Sequence, residues 1–332
     1  MSLRAPARFA SFEELLPQIR EVIDASASIA TLAHKDADAD SLGSSLAFAL
    51  SMRAMGKTVR PMVPDPMPML LEHLPGYATV ATTPGDFDAL FTFDCATVGR
   101  FGEKRSLIQA GGRPVVNIDH HVSNEGFGTI NLIEPEASAT GQVVYRLLRA
   151  LEAPITSEVA TNVYAALFTD TGGFRHENTT EEALRLGADL VALGADPGWV
   201  AMKSYKSRSV SQLRLEALAV SRLHTDRDGA LVWSQVSQAM LTEARADMQE
   251  SEGVIDQLQS VSTMKIAWLL KEATADRTKL SVRTRDQFDA TAMCIPFGGG
   301  GHHRAAGAEI RLPLADAEQR VLEVARGLLD RS

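Results

Sequence analysis

Hydrophobic positions along the chain follow two periods. In "FEELLPQIREVIDAS" (12–26) they recur every three to four residues, which predicts an amphipathic helix. "SIATLAH" is a short β-prone run that stops at His34. "SSLAFALSMRAMG" predicts a helix closed by Gly56, and "TVRPMV" a strand after it. The apolar runs "DALFTFD" and "PVVNID" predict strands ending at Asp94 and Asp119, with another in "TINLIE". "ATGQVVYRLLRAL" and "SEVATNVYAALFTD" return to helical spacing. Strands alternating with helices predict a largely parallel α/β sheet. From about residue 181 to 220 the chain is helix-rich and charged. Beyond it, "GALVWSQVS", "MKIAWLLKEA" and "TKLSVRTRD" predict strands, with a helix near "SEGVIDQLQSV". The expected organisation is a parallel-sheet α/β domain over residues 1–185, a helical connector over 186–220 and a smaller α/β domain over 221–332.

Composition narrows the function classes. At 332 residues the chain exceeds one ordinary domain, and 45% hydrophobic with 23% charged residues suits a globular protein with a sizeable core. A formal charge of −9 argues against a non-specific grip on long nucleic acid, which takes a basic face. An anionic substrate must then be held by a few local cations or by bound metal. Cys95 and Cys294 lie far apart with no CxxC spacing, which argues against a disulfide framework or a thiolate zinc site and fits a reducing cytosol. The N-terminal stretch lacks the apolar core of a signal peptide, and no run approaches the length of a membrane span. A cytoplasmic protein is expected.

The candidate chemistry sits where the apolar runs stop. In open α/β sheets ligands bind outside the carboxyl ends of the strands. Here "SIATLAH" leads into "HKDADAD", "ALFTFD" stops at Asp94, "PVVNID" stops at Asp119-His120-His121, and a further apolar run ends at Asp170 in "LFTDTGGF". In an extended segment His34, Asp36, Asp38 and Asp40 share one side. Concentrated carboxylates repel one another and resist burial, and a divalent cation removes that cost. The competing reading is a helix cap at Asp40 or Ser41. Oxygen and imidazole donors without thiolate suit Mn²⁺, with Mg²⁺, Fe²⁺, Co²⁺ or Zn²⁺ as substitutes. The acids outnumber the needs of one ion. A pair of ions roughly 3.5–4 Å apart would use them all and suits hydrolysis of a phosphate ester.

Taken in order, "HKDADADSLGS", "FTFD", "NIDHH" and "LFTDTGGF" resemble the four motifs of the DHH phosphoesterase superfamily, and "FGGGGHHRAAGA" resembles the signature of the DHH-associated C-terminal domain. The short two-domain length is closest to the nanoRNase and pAp-phosphatase group, which includes phosphodiesterases of cyclic di-AMP or pApA. The resemblance implies that His34, Asp38 and Asp94 hold one Mn²⁺, and that Asp40, Asp94, His120 and Asp170 hold the other, with Asp94 bridging. It implies that Asp119 orients a histidine and that His121 faces the scissile phosphate. Ala39 stands where the family often has glycine. Asp36 stands where a neutral residue is common, and its contact with metal is left open.

In the C-terminal motif, glycines 298–301 permit positive φ and a close backbone approach to an anion, the alternative being a flexible turn. With the neighbouring His302 and Arg304, Gly299, Gly300 and Gly301 are expected to cradle a nucleotide phosphate or base. Ser281 and Arg283 alternate onto one face of a strand, and the resemblance implies that they hold substrate phosphate. His176 and Arg175 follow Asp170 closely and are open to either a substrate or a turn role. His73 and His224 are expected on the surface. Trp199, Trp233 and Trp268 are scattered, with no sign of a stacking row.

The expectation is a two-metal phosphoesterase of short RNA or DNA oligonucleotides or small nucleotides, releasing 5′-mononucleotides. A RecJ-like single-strand exonuclease, a cyclic di-AMP phosphodiesterase and a non-catalytic nucleotide sensor are the rivals. The C-terminal motif speaks against a manganese-dependent pyrophosphatase. Oligomeric state is left open, a homodimer included.

Overall fold

The structure, a computed structural model, describes residues 9–64, 67–109, 111–301 and 303–330. It begins with α1 (Phe12–Ala25), whose start is closed by reciprocal hydrogen bonds between Ser11 and Glu14. There follow β1 (Ser28–Leu32), α2 (Ala39–Ala54), β2 (Thr58–Met62), β3 (Ala89–Phe93), a 3₁₀ segment (Val98–Arg105) running into α3 (Ser106–Gln109), β4 (Val115–Asp119), β5 (Ile130–Ile133), α4 (Thr140–Ala150), α5 (Ser157–Asp170), α6 (Glu181–Ala192) and α7 (Pro197–Tyr205). The five strands pair in the order β2-β1-β3-β4-β5, all parallel. A parallel sheet is covered on both faces, so its strands are apolar on both. Alternation along β1 and β3 shows this. Ile29, Phe91 and Phe93 join a core against α1, α2, α4 and α5. Ala30, Leu32 and Leu90 join a smaller core with Phe101 on the opposite face.

The chain divides into two compact units between Ser207 and Arg208. The helices grouped in sequence as a connector are shared between them: Leu186, Leu190 and Val200 of α6 and α7 are buried in the first unit's core. The second unit comprises α8 (Val210–Ser221), β6 (His224–Asp226), β7 (Leu231–Val236), α9 (Gln238–Ala244), α10 (Glu252–Gln259), β8 (Ile266–Thr274), β9 (Arg277–Thr284), α11 (Ala290–Cys294), β10 (Gly300–Gly301), β11 (Ala305–Ile310) and α12 (Leu314–Leu329). Its sheet runs β10-β11-β9-β8-β7-β6 and is mixed, with β7 and β8 parallel and the other pairs antiparallel. Val282, Trp268 and Val321 pack in one core, and Leu269, Val232 and Leu258 in another.

Trp233 and Trp268 are register partners on β7 and β8, so their rings stack in parallel with centroids 4.9 Å apart. They are core neighbours, and His224 lies on the outer ring. Asp170 ends α5, the helix that the spacing of "SEVATNVYAALFTD" predicts. No helix of the described residues is long and apolar enough to cross a membrane.

Candidate metal centre

The strand order sets the position of the site. From β1 the chain moves one way to β2 and then returns to place β3 on the other flank, so the switch point lies between the carboxyl ends of β1 and β3. His34 follows β1 by two residues and Asp94 follows β3 directly. Asp119 ends the neighbouring β4, and His120 and His121 open the loop beyond it. Asp94 adopts a left-handed backbone (φ 57), a conformation that costs a non-glycine residue on the order of 1–3 kcal/mol. Its amide donates to Ile118 O at 3.0 Å, and its Oδ1 accepts from Thr140 Oγ1 at 2.9 Å.

The helix cap is Asp38, not Asp40 or Ser41. Asp38 Oδ1 accepts from Ser41 N at 2.9 Å, while its Oδ2 faces His34 Nε2 at 3.8 Å. One carboxylate thus starts a helix and faces the cluster, so the cap and ligand readings are compatible. Asp40 is buried and accepts from the first amides of α4, Thr140 N at 2.8 Å and Gly141 N at 2.9 Å. The positive end of that helix faces its carboxylate.

Six of the candidate residues converge. His34 Nε2 lies 3.4 Å from Asp94 Oδ2. His120 Nε2 lies 3.5 Å from Asp94 Oδ1, 3.7 Å from Asp40 Oδ2 and 3.9 Å from Asp170 Oδ2. Donors about 2.1 Å from one cation sit roughly 3–3.5 Å from each other, so these separations are those of slightly expanded cation shells. They are too long for good hydrogen bonds. Among the described residues the donors form overlapping groups: His34, Asp38 and Asp94; Asp40, His120 and Asp170; and Asp94, His120 and His121. Asp94 turns one oxygen to each of two imidazoles, as a bridging ligand does. His34 Nδ1 faces Lys35 O at 2.9 Å and His120 Nδ1 faces Ala137 O at 3.0 Å. Each carbonyl fixes the tautomer whose Nε2 lone pair can bind metal. The residues fit a pair of divalent cations. Asp36 (φ 56) is exposed and belongs to none of these groups.

The electrostatics make the same point. Burial first, then the charges of Asp94 and Asp170, raise Asp40 well above the usual carboxylate range. Asp170 is pushed up to about 6 by burial. Burial opposes charge on His120, but Asp170, Asp40 and Asp94 outweigh it and push the imidazole up to about 10. For Asp94 too burial acts upward, and the surrounding histidines, His34 foremost, hold it well below its ordinary value. Without a cation the carboxylates can share the pocket only by holding protons or protonated histidines.

Asp119 orients His121 rather than His120. It is fully buried; Oδ1 accepts from His121 Nδ1 at 2.7 Å and His120 N at 2.8 Å, and Oδ2 from Asn124 Nδ2 at 2.6 Å. A buried chain continues from Asn124 Oδ1 to Asn117 and from Asn117 Oδ1 to Thr92. Burial disfavours charge on both partners, yet their mutual attraction lowers Asp119 and raises His121.

Several contributors carried no charge signal in the sequence. Thr140 and Gly141 read there only as a helix start. Asn178 Nδ2 donates to Asp170 Oδ2 at 3.2 Å and to Ser138 O at 3.0 Å. The exposed His176 places Nδ1 3.3 Å from Asp170 O, and Arg175 bonds Gly172 O through Nε. Both therefore act within the turn that follows α5.

In the second unit, β9, β11 and β10 align Ser281, Gly307 and Gly300 side by side. Arg283 pairs with Ala305, the first residue of β11, and Arg304 O accepts from Thr284 N at 3.1 Å. Ser281 and Arg283 lie on the half-buried face of β9, opposite the buried Leu280 and Val282. The last two glycines of the run form the edge strand β10, antiparallel to β11. Gly301 (φ 147) and Gly298 (φ 74) need glycine's backbone freedom, and a side chain on Gly299 would strike the Gly307 carbonyl. Of the glycines in this run outside the left-handed region, Gly300 alone has open space about its Cα. His302 lies outside the described residues.

Comparison with known proteins agrees with this arrangement. The N-terminal domain of the DHH family matches residues 28–167, and the DHHA1 domain matches residues 230–330. The bifunctional oligoribonuclease and PAP phosphatase NrnA of Thermus thermophilus is 32% identical over 326 residues, covering 96% of this chain and 94% of that protein. Its namesake from Bacillus subtilis is 22% identical over 202 residues, covering 60% and 63%. In fold, the crystal structure of an exopolyphosphatase-related protein from Bacteroides fragilis superposes with a TM-score of 0.86 at 23% identity, over 96% of each chain. With the motifs, the fold and near full-length similarity in agreement, this chain belongs to the DHH/DHHA1 phosphoesterases and is a hydrolase of the NrnA type.

Proposed function

We propose that the chain is a Mn²⁺-dependent phosphodiesterase that hydrolyses very short oligonucleotides, nanoRNA and pApA, to 5′-mononucleotides, and that it also converts pAp to AMP. The observation that carries this reading is Asp94, whose two oxygens face His34 and His120 at 3.4 and 3.5 Å. Near full-length similarity to an oligoribonuclease and PAP phosphatase supports the substrate class.

His34, Asp38 and Asp94 would hold one cation, and Asp40, Asp94, His120 and Asp170 the other. Cations held there would supply neutralisation of the phosphoryl charge and a lowered pKa for the attacking water. The chain's own groups do the rest. Lys35 O and Ala137 O fix the two ligating imidazoles, and the amides that open α4 hold Asp40 in place. Asp119 keeps His121 protonated and aimed, and His121 gives its proton to the leaving oxygen. In the second unit Ser281, Arg283, Gly299, Gly300, Gly301 and Arg304, with His302, bind a nucleotide phosphate or base. Cleavage takes place in the cytoplasm, a reading that both cysteines support by being buried and unpaired.

Initial rates in Mn²⁺ at neutral pH on pApA, a 5-mer RNA, a 24-mer single strand, pAp and cyclic di-AMP test this. The expected order puts pApA or the 5-mer first, with a His120→Ala variant inactive. A 24-mer that is cut fastest turns the assignment to an exonuclease. Cyclic di-AMP in first place turns it to a cyclic dinucleotide phosphodiesterase.

A further inference from the structure

We infer that Arg100, which no sequence motif singled out, binds a non-bridging oxygen of the phosphoryl group being cleaved. The inference rests on the reading of the centre as a phosphoesterase site and adds to it a substrate contact on the first unit.

Arg100 lies in the 3₁₀ segment that follows β3, six residues after Asp94. Its backbone is locked to the other side of the switch point: Lys35 N donates to Arg100 O at 2.7 Å, and Arg100 N donates to Thr97 O at 3.2 Å. The side chain returns to the metal centre. Arg100 Nη2 is 2.9 Å from His34 Nδ1 and 3.3 Å from His34 Nε2, so the guanidinium lies against the imidazole. With Nδ1–H given to Lys35 O, that ring nitrogen has no lone pair for Arg100. The one carbonyl within reach of Nη2, Lys35 O, is 3.5 Å away, at the limit of a hydrogen bond.

Several arginines of this chain find a carboxylate. Arg146, Arg185, Arg208 and Arg227 each have a carboxylate oxygen within 3 Å. Arg100 stands beside a crowd of carboxylates, yet among the described residues its guanidinium pairs with none of them. Its charge also counts against its position, because a cation on the ring of a metal-ligating histidine repels the metal. An anion between them reverses the sign. A phosphoryl oxygen drawn to the metal centre meets a planar, permanently charged donor there, and guanidinium geometry suits phosphate. Because the side chain lies on a ligand imidazole, the phosphate it reaches is the one at the metals rather than a remote end of the substrate.

The test compares the full-length protein with Arg100→Gln and Arg100→Lys. Three quantities are read: kcat/KM on pApA and on pAp at saturating Mn²⁺, affinity of the Mn²⁺-loaded protein for AMP by calorimetry, and Mn²⁺ affinity itself. Loss of one charge-assisted hydrogen bond predicts a fall of about 10- to 100-fold in kcat/KM for Arg100→Gln, by the same factor on both substrates. AMP binding weakens in parallel, Mn²⁺ affinity is unchanged or higher, and Arg100→Lys recovers part of the loss. A purely structural role would weaken Mn²⁺ binding and let turnover recover as Mn²⁺ is raised; that result overturns the inference, as does an unchanged kcat/KM. If the wild type cleaves neither substrate but Arg100→Gln still weakens AMP binding, the anion contact stands and the proposed reaction fails.

Discussion

At the scale of single residues the centre depends on the partners of its ligands and histidines as much as on the ligands themselves. Asp119 is the clearest case, since every hydrogen bond it makes is accepted from a donor: His120 N, His121 Nδ1 and Asn124 Nδ2. Asn at this position must turn its amide group toward one of these donors, leaving a buried clash of hydrogens. Asp119→Asn is therefore expected to cut kcat by about 100-fold, a loss of the size seen for outer-shell partners. Mn²⁺ affinity should be nearly unchanged, because none of these bonds touches a ligating imidazole nitrogen. A parallel loss of Mn²⁺ affinity would show that His121 is itself a ligand, a geometry the Asp94–His120–His121 group permits. Thr140 gives the opposite pattern. Its hydroxyl donates to Asp94 Oδ1 at 2.9 Å, so Thr140→Val should weaken Mn²⁺ binding by about 10- to 100-fold. Thr140→Ser should restore it. Mn²⁺ titrations of the two variants read this directly.

At the scale of elements the site is only as exact as the helix packing behind it. α2 and α4 both press on α5 through glycine. A Cβ on Gly43 would sit 2.9 Å from Asn162 O, and one on Gly141 would sit 2.6 Å from Ala166 Cβ. Gly43→Ala pushes α2 off α5, with Asp38 and Asp40 at its start. The expected cost is about 1–3 kcal/mol of stability and a weaker grip on Mn²⁺, read as a lower melting temperature and a raised Mn²⁺ requirement. Gly300→Ala is the contrasting case. Nothing lies within 4 Å of the added Cβ, so melting should not move, and KM should rise if backbone there meets substrate. A melting temperature lowered by Gly300→Ala would return that glycine to a structural role.

These elements also show what could be read beforehand. Apolar runs that stop at Asp94 and Asp119 were visible because a buried strand ending in an acid breaks the pattern abruptly. Asp170 ends a largely buried helix, and its apolar run stops at the acid just as the strands do. Asp38 was legible as a donor among the alternating acids of "HKDADAD", but not as the helix cap, which the sequence put at Asp40 or Ser41. Arg100, Asn124, Thr140 and Asn178 had no local signal, since their roles arise only when loops from different strands meet. Trp233 and Trp268 lie far apart in sequence and became neighbours through a strand register that no periodicity encodes.

For the whole molecule, the placement of the donors would make a bound divalent cation, Mn²⁺ on the proposed reading, a selective stabiliser. Every candidate ligand falls between His34 and Asp170, within the first unit, and the second unit has cores of its own in Trp268, Val282 and Leu258. Without metal the first unit carries buried carboxylates that raise one another. Mn²⁺ relieves that repulsion only in the folded state, because the unfolded chain disperses the ligands. A ligand at 100 times its Kd adds about 2.7 kcal/mol to the folded state. For a unit of this size that corresponds to a melting shift of roughly 5–10 °C. Calorimetry with Mn²⁺ and then with EDTA should show one transition rising and falling by that amount while the other stays put. Asp94→Asn should abolish the shift, since both donor groups lose the carboxylate they share. The same change removes a carboxylate that the surrounding histidines hold ionised, so the variant without metal should melt below the metal-free wild type. A metal-dependent shift that survives Asp94→Asn would place the stabilising ion elsewhere. Two transitions moving together would mean that the units unfold as one.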